Sequence, residues 1–446
     1  MTYVFPLLML LALIAGIFSG YPVAFLLAGL SVVFMFVGDI PLQSFSLITS
    51  RVFGAVLENW ILAAIPLFIF MGVMLEKSKV ADKLLLELEA LFGSRPGGLG
   101  LTVVIIGIVM AASTGIIGAS VVLMATLALP LMLKQGYDKS VAIGTILGSG
   151  TLGILIPPSI MLVVFGDVMQ IPIGQLFAGA LFPGLLLGLF YALYIVFIAI
   201  FKPQKVPPGK PLEKGSAGKL VLRLLKNLIV PALLISSVLV SIVIGIATPT
   251  EGAAIGAFGA LLIAFFSRQL SWQVLWEALK DTCLTTGMIL ILAIGATAFS
   301  LVFKRIGGQD MIESATGVLG HSPYMVVLAI MILIFVLGFF LEWIEISFLV
   351  LPLFAPIVAN LDFGDAFNSQ VDVMIWFAVL VAVNLQTSFL TPPFGYALFY
   401  LKGTGIPGVT TGDIYRSVVP VVGMQLLGVL AIALFPAIAL WLPGKF

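Results

Sequence analysis

The sequence predicts an all-α polytopic membrane protein, built as an inverted repeat of two five-span halves, each with a re-entrant hairpin and a broken helix. Of its 446 residues, 61% are hydrophobic and only 9% are charged, and the mean hydropathy is +1.24. A soluble domain would be near half apolar and about a quarter charged, so this much apolar surface needs a bilayer as its solvent. Apolar runs recur along the whole chain and leave no region for a soluble domain.

Composition also excludes several function classes. The 20 acidic and 21 basic residues nearly cancel, which gives no indication of nucleic-acid binding. The single cysteine, Cys283, excludes an internal disulfide framework and a four-cysteine metal site. The first apolar run, 4–17, has no positively charged segment before it and a second run follows at once, so we interpret it as a retained span rather than a signal peptide.

The apolar runs divide into full crossings and shorter pairs. A helix that crosses a bilayer needs roughly 20 apolar residues. Ten segments are candidate spans: 4–20, 22–38, 57–76, 138–168, 176–201, 228–247, 249–266, 282–303, 373–402 and 414–442. Two other stretches, 101–135 and 322–360, hold apolar arms of about 10–15 residues around a polar tip, which favours re-entrant hairpins.

Basic residues predict the orientation of these spans. The hydrophilic linker, 202–226, carries seven basic residues against Glu213 alone, which indicates that it is cytoplasmic. Counting back five crossings places the N-terminus outside and the basic residues of 77–95 inside, as the positive-inside tendency requires. Lys304 and Arg305 fall outside, against that tendency.

An internal duplication relates 1–201 to 227–446, the two halves that flank the linker. Prolines recur in the same order at offsets of 226 to 235 residues. The pairs are Pro22 and Pro249, Pro130 and Pro356, Pro157-Pro158 and Pro392-Pro393, and Pro172 and Pro407. Because each half holds an odd number of crossings, the halves have opposite orientations. Inverted repeats with discontinuous helices are the architecture of many secondary transporters.

The segment from Gly148 to Ser159 lies within the predicted broken helix 138–168. Pro157 and Pro158 remove backbone donors, and three glycines favour unwinding. Broken backbone at membrane depth is tolerated only where protein or a wet cavity covers it. Freed carbonyls with the Ser149 and Thr151 hydroxyls suit a hard cation such as Na⁺, and the following half-helix offers its positive end to a carboxylate. A simple proline kink is the alternative interpretation.

The second half has a counterpart between Asn384 and Gly395, inside the predicted broken helix 373–402. Polar side chains cluster there deep in an apolar span, which is costly unless they bind a ligand or one another. The two hairpin tips complete the predicted site. The first tip is small and neutral, and the second holds Glu342 and Glu345, which either ligate a cation or lie in water at the interface.

These motifs resemble those of the large membrane subunit of tripartite ATP-independent periplasmic (TRAP) transporters. The resemblance covers essentially the whole chain and rests on 148–159, 248–251, 351–356 and 391–395. Thr248-Pro249-Thr250-Glu251 also indicates a helix start capped by Thr248 or Thr250. The resemblance implies a sodium-driven elevator in the bacterial inner membrane, in which the hairpins and broken helices carry the substrate. It further implies two partners, a small four-helix membrane subunit and a soluble periplasmic substrate-binding protein.

The sodium regions of the family correspond here to the hairpin tips and the two breaks. The residues assigned to cation binding are Ser113, Thr114, Gly115, Gly118, Ser149, Thr151, Glu342, Glu345, Asn384 and Thr387. The residues assigned to substrate binding are Ser120, Pro157, Pro158, Ser159, Gln386, Ser388, Thr391 and Pro392. Na⁺ is expected as the coupling ion, with no transition metal and no organic cofactor.

The expected substrate is a small carboxylate, such as a 2-oxo acid or lactate. The nearest alternative is a stand-alone sodium/carboxylate symporter of the divalent-anion type, which needs no binding protein. A primary pump subunit is disfavoured because the chain has no Gly-x-x-x-x-Gly-Lys-Ser/Thr loop. An intramembrane enzyme is disfavoured because His321 and Cys283, the only residues of their types, do not form a catalytic cluster.

Overall fold

A computed structural model of the protein describes residues 3–41, 43–92, 94–115, 117–209, 217–317, 322–392 and 395–446. Within those ranges, the side chains at 81, 82, 86, 112–114 and 217–226 lie outside the description. The part of the chain that the structure describes is helical throughout and contains no strand. The predicted all-α class is therefore confirmed.

The helices of the first half are α1 (Val4–Phe18), α2 (Val23–Val37), α3 (Ser44–Val52), α4 (Ala64–Lys77), α5 (Val80–Phe92), α6 (Gly98–Thr114), α7 (Ile117–Lys134), α8 (Lys139–Thr151), α9 (Ile160–Val168) and α10 (Ile173–Phe201). Those of the second half are α11 (Ala217–Val243), α12 (Pro249–Phe266), α13 (Trp272–Arg305), α14 (Gly308–Gly317), α15 (Pro323–Leu337), α16 (Trp343–Leu349), α17 (Leu351–Ala359), α18 (Gln370–Leu390), α19 (Tyr396–Gly403), α20 (Thr411–Leu434) and α21 (Ala437–Leu440).

Six of the described helices are long and apolar enough to cross a membrane: α7, α10, α12, α13, α18 and α20. Most predicted spans agree with the helices to within a few residues. The span predicted at 57–76 begins only at Ala64, because a π-helical turn at 53–57 is followed by a turn in which Asn59 Oδ1 accepts the Ile61 amide at 3.0 Å. The span predicted at 414–442 divides at Pro436, which lies between α20 and α21.

Helix starts follow the capping chemistry of the sequence. Thr248 caps α12 as predicted: its hydroxyl accepts the Glu251 amide at 3.2 Å, and the Glu251 carboxylate accepts the Thr248 amide at 2.8 Å. Such a reciprocal pair satisfies two amides that the first helical turn leaves without partners. Ser271 caps α13 in the same position, so this helix begins well before the predicted residue 282.

The second half repeats the helix order of the first. The two hairpin helices begin at Gly98 and Ile117 in the first half and at Pro323 and Trp343 in the second, offsets of 225 and 226 residues. These offsets agree with the proline offsets in the sequence. The opposite orientation of the two halves stays a prediction.

The hairpins and broken helices pack crosswise. In the first half α6 and α7 pack on α8, and in the second half α15 and α17 pack on α18. Each hairpin also contacts the other half, since α7 packs on α19 and α16 packs on α9. Helix α18 lies at the centre of this arrangement and is buried from Val373 to Leu390. Each hairpin therefore lies between a helix of its own half and a helix of the other half.

The start of the linker after α10 is fastened to the first hairpin and to α8. Gly97 donates its amide to the Val206 carbonyl at 2.9 Å, and Asp138 donates its amide to the Lys205 carbonyl at 2.8 Å. Lys205 Nζ also lies 3.2 Å from Asp138 Oδ2. Val206 is fully buried, so this short segment holds the entrances of both elements together.

Candidate transport site

The first break separates α8 from α9. Asp138 begins α8 by accepting the amides of Ser140 and Val141, and the helix ends at Thr151 in a single 3-10 turn. A cis peptide bond joins Pro157 to Pro158, and extended backbone at Ser159 starts α9. Residues 150–165 are all buried, so the interrupted backbone is covered by protein, as membrane depth requires.

Hydroxyl groups at this break donate their protons locally. Ser149 Oγ donates to the Thr145 carbonyl at 2.7 Å, and Thr151 Oγ1 donates to the Gly148 carbonyl at 3.0 Å. Ser159 Oγ donates to the Ile154 carbonyl at 2.6 Å. A hydroxyl carries one donor and two lone pairs, so each of these oxygens keeps lone pairs for a cation or another donor.

The second break separates α18 from α19 and has the same hydroxyl chemistry. Thr387 Oγ1 donates to the Val383 carbonyl at 3.1 Å, Ser388 Oγ to the Leu385 carbonyl at 2.9 Å and Thr391 Oγ1 to the Thr387 carbonyl at 2.7 Å. Thr391 and Pro392 are half-buried, and Pro393 and Phe394 lie outside the described residues. Gly395, at φ +40°, starts α19 in a backbone conformation that favours glycine.

Two amide side chains tie the second break to its surroundings. Gln386 Nε2 donates to the carbonyl oxygen of Thr151 at 2.8 Å and so connects the two breaks directly. Asn384 Nδ2 donates to the Met331 carbonyl of the second hairpin at 2.8 Å. Gln386 Oε1 is buried and has no hydrogen-bond partner among the described residues. Gln386 was assigned to the substrate, yet the structure gives its amide group a place between the two halves.

In both halves, a glycine of the hairpin allows a close approach to a serine of the broken helix. A β-carbon on Gly107 of α6 would lie 3.1 Å from Ser149 Cα, and one on Gly338, after α15, would lie 2.8 Å from Ser388 Cβ. Real β-carbons essentially never approach other atoms more closely than 3.0 Å. The two predicted serines are therefore each held against a hairpin backbone.

The hairpin tips meet the second helix of each broken pair. A β-carbon on Gly115 would lie 3.3 Å from Ile160 at the start of α9, and one on Gly118 would lie 2.9 Å from the Tyr400 ring of α19. Tyr400 also donates to Glu342 Oε1 at 3.1 Å, so this tyrosine touches both hairpins. Ser120 is buried in α7, and the side chains of Ser113 and Thr114 lie outside the described residues.

Glu342 and Glu345 form a capping box at the start of α16. Glu342 accepts the amide at position 345, and Glu345 Oε2 accepts the Glu342 amide at 2.9 Å. Both side chains are half-buried rather than free in water. The cap gives each carboxylate a structural role and leaves the predicted cation role untested.

The helices that meet at this site, its two broken backbones and its buried polar side chains describe a membrane carrier, and comparison with known proteins agrees. Residues 9–438 match the family Tripartite ATP-independent periplasmic transporter, DctM component. The chain belongs to this family. The resemblance seen in the sequence is thereby confirmed, as is the predicted location in the inner membrane.

Relatives of this TRAP large subunit cover nearly its whole length. It is 30% identical over 390 residues to the C4-dicarboxylate TRAP transporter large permease protein DctM of Pseudomonas aeruginosa, with 87% of each chain covered. It is 28% identical over 439 residues to the ectoine TRAP transporter large permease protein TeaC of Halomonas elongata, with 98% of each covered. The isethionate TRAP transporter permease protein DctMQ of Oleidesulfovibrio alaskensis is 28% identical over 400 residues, which cover 87% of this chain and 59% of that one. These relatives are permeases, not enzymes.

Two solved structures share the fold of this TRAP subunit. The Alcanivorax borkumensis YdaH transporter aligns with a TM-score of 0.64 at 12% identity, covering 94% of this chain and 98% of that one. Neisseria gonorrhoeae MtrF aligns with a TM-score of 0.57 at 13% identity, covering 90% and 84%. At these identities the likeness concerns the fold alone.

Sequence reasoning missed two polar residues of the TRAP subunit beside the first break. Gln425 of α20 donates from Nε2 to Tyr191 Oη of α10 at 3.0 Å, and the same nitrogen lies 3.5 Å from Thr151 Oγ1. Gln425 is fully buried, and its Oε1 has no partner among the described residues. The available signal was an amide inside the otherwise apolar span 414–442, since such a group is costly in a membrane unless it is paired.

The ends of the half-helices give the site opposite electrostatic features. Helices α8 and α18 end at the breaks, and α9 and α19 begin there. A helix end carries a partial charge of about half an electron, negative at the C-terminus and positive at the N-terminus. In broken transporter helices the C-terminal ends and unwound carbonyls suit Na⁺, and the N-terminal ends suit anionic substrate groups.

Proposed function

We propose that this subunit takes up a small organic acid by sodium-coupled secondary transport of the elevator type. The acid would be delivered by a periplasmic binding protein. The hairpins and the two broken helices would move together as the substrate-carrying block, and the remaining helices would form the scaffold.

The observation that carries the proposal is the hydrogen bond between Gln386 and the Thr151 carbonyl. It joins the second broken helix to the end of the first half-helix inside a buried region. Together with the crosswise packing of the hairpins, this bond supports movement of both breaks as one body. A continuous pore is disfavoured by the burial of residues 150–165.

Sodium coupling is supported by the oxygens that converge on the breaks. Asn384 and Gln386 donate through nitrogen and keep their amide oxygens available, and the Thr151, Thr387 and Ser388 hydroxyls keep lone pairs. Neutral oxygens beside helix C-termini are the usual ligands of Na⁺ in broken transporter helices. The chemistry of the donor set therefore fits a small hard cation.

An acidic substrate is supported by the N-terminal ends of α9 and α19 and by the names of the relatives. Those names print C4-dicarboxylate, isethionate, ectoine and sialic acid, and each such molecule bears a carboxylate or sulfonate group. Small 2-oxo acids, lactate and C4-dicarboxylates are therefore the first candidates for this chain.

The family description supports two partners, a small membrane subunit and a periplasmic substrate-binding protein. The longer DctMQ relative, of which this chain covers 59%, supports a close association of the large subunit with a further membrane segment. We propose the small subunit as a separate chain here.

The test is uptake of labelled acids into proteoliposomes that hold this chain and its small subunit. Accumulation that needs both an inward sodium gradient and added binding protein would establish the proposal. Accumulation with sodium but without binding protein would favour the stand-alone symporter of the divalent-anion type. Failure of a broad acid screen under a sodium gradient would reject sodium-coupled acid uptake.

A further inference from the structure

A basic cleft lies outside the transport site described above. Its volume is about 640 Å³, and it lies between α3, the π-helical turn, the C-terminal part of α13, the end of α9 and the start of α17. Arg51, Lys304 and Arg305 line it, with the Ser300 hydroxyl on the same wall. The cleft thus lies between the proposed scaffold and the proposed moving block.

The three cations of the cleft are not neutralised by protein. None of them forms an ion pair among the residues that the structure describes. Asp167, the one acid in the lining, accepts a hydrogen bond from Asn59 Nδ2 at 2.8 Å across the cleft. Three positive charges facing one engaged carboxylate leave a net positive concave surface.

A structural role alone does not account for this clustering. Arg51 lies in the last turn of α3, and Lys304 and Arg305 lie in the last turn of α13. A cation there is stabilised by its own helix end by about 0.3–1 kcal/mol. That effect requires no two helices to direct their cations into one cleft, where like charges repel, and an anion would remove the repulsion.

The cleft also explains the exception to the positive-inside tendency. The orientation predicted from the linker puts Lys304 and Arg305 outside, where basic residues are disfavoured. A cleft lined by one sign of charge concentrates oppositely charged solutes and raises their rate of association. We propose that the cleft of Arg51, Lys304 and Arg305 is an anion-binding vestibule on the outer face, which takes small carboxylates or sulfonates before they reach the transport site. Its link to transport rests on the proposed function.

The vestibule is tested by the charge preference of a thiol placed in it. Ser300→Cys in a Cys283→Ser background, in the full chain with its small subunit, is modified by an anionic or a cationic methanethiosulfonate of similar size. Rates are normalised to those of a free thiol. We expect the anionic reagent to be favoured about tenfold at low ionic strength, and less at high salt.

A matched position and charge variants make the test specific. Asn360→Cys lies on the same predicted face, is exposed and stands near Asp362 and Asp365, so it should prefer the cationic reagent. Arg51→Gln and Lys304→Gln should each lower the anionic preference at position 300 and leave position 360 unchanged. Equal rates for both reagents at position 300, or a preference that ignores these variants, would overturn the proposal.

Occupancy is tested with succinate as the probe and neutral succinamide as its control. Protection of position 300 by succinate alone would support a small-anion site. Protection that appears only when the binding protein is added would assign the cleft to protein docking and overturn the proposal. These labelling results do not require uptake, so a failure of sodium-coupled transport is distinguishable from a failure of the vestibule.

Discussion

Gln386 and Thr151 connect the two halves of the chain, since the Gln386 amide nitrogen lies 2.8 Å from the Thr151 carbonyl oxygen. Both residues are fully buried. The Thr151 carbonyl is at the end of α8, where an α-helix leaves carbonyls without partners. The second half thus supplies the partner that the first half lacks.

Gln386→Leu should destabilise the protein by about 1–3 kcal/mol, because it leaves the buried Thr151 carbonyl without this donor. The midpoint of thermal unfolding in detergent measures this loss. Gln309→Leu, on an exposed turn of α14, is the matched control and should leave the midpoint nearly unchanged. Equal midpoints for the two variants would contradict a structural role for the Gln386 bond.

Gly338→Ala and Gly107→Ala should each destabilise by about 1–3 kcal/mol and reduce uptake, because a new β-carbon would overlap the Ser388 or Ser149 region. Gly287→Ala is the matched control, since nothing lies within 4 Å of a β-carbon there. It should be neutral or stabilising by up to about 1 kcal/mol, as alanine favours helix. Adding Ser388→Gly to Gly338→Ala should restore much of the stability, and no recovery would argue against the close approach.

Asn384→Ala and Thr387→Ala should raise the sodium concentration for half-maximal uptake, because each removes an oxygen from the proposed cation site. A loss of about 1.4 kcal/mol in binding corresponds to a tenfold increase. Uptake is measured across a sodium series in proteoliposomes. Thr126→Ala, on an exposed face of α7, controls for hydroxyl removal, and an identical sodium curve for all three variants would remove Asn384 and Thr387 from the site.

Glu345→Gln and Glu345→Ala separate capping from cation binding. Glutamine keeps an oxygen that can accept the Glu342 amide, so Glu345→Gln should hold the unfolding midpoint, whereas Glu345→Ala should cost about 1 kcal/mol. If the carboxylate also serves the cation, both variants should raise the sodium requirement. A normal sodium curve for Glu345→Gln would confine this residue to its helix cap.

Replacing Pro157 and Pro158 together by alanine should favour continuous helix and displace the groups at the first break. A misplacement of about 1 Å can cost roughly a hundredfold in rate, so uptake should fall at least that far while the protein still folds. Gel filtration and thermal unfolding verify the fold. Unchanged uptake in a folded variant would reject the broken helix as part of the site.

Local sequence patterns predicted the spans and the positions of the breaks, because apolar length, proline and glycine act within a single segment. Asn384 and Thr387 were identified since polar groups inside an apolar run are costly. The partners of these groups were not predictable in the same way. Gln425 and Tyr191 approach Thr151 from two other helices, and Tyr400 reaches Glu342 across the halves. Those contacts arise from packing between distant segments, which no local pattern records.

The crosswise packing of the hairpins has a consequence for biosynthesis. Helix α7 is covered in part by α19, which the ribosome makes only near the end of the chain. The N-terminal half therefore enters the membrane with the surface of its hairpin still uncovered, and it remains so until the last quarter of the chain is inserted. Maturation of the permease is thus decided late, and a nascent chain arrested before α19 would be a ready target for membrane proteases.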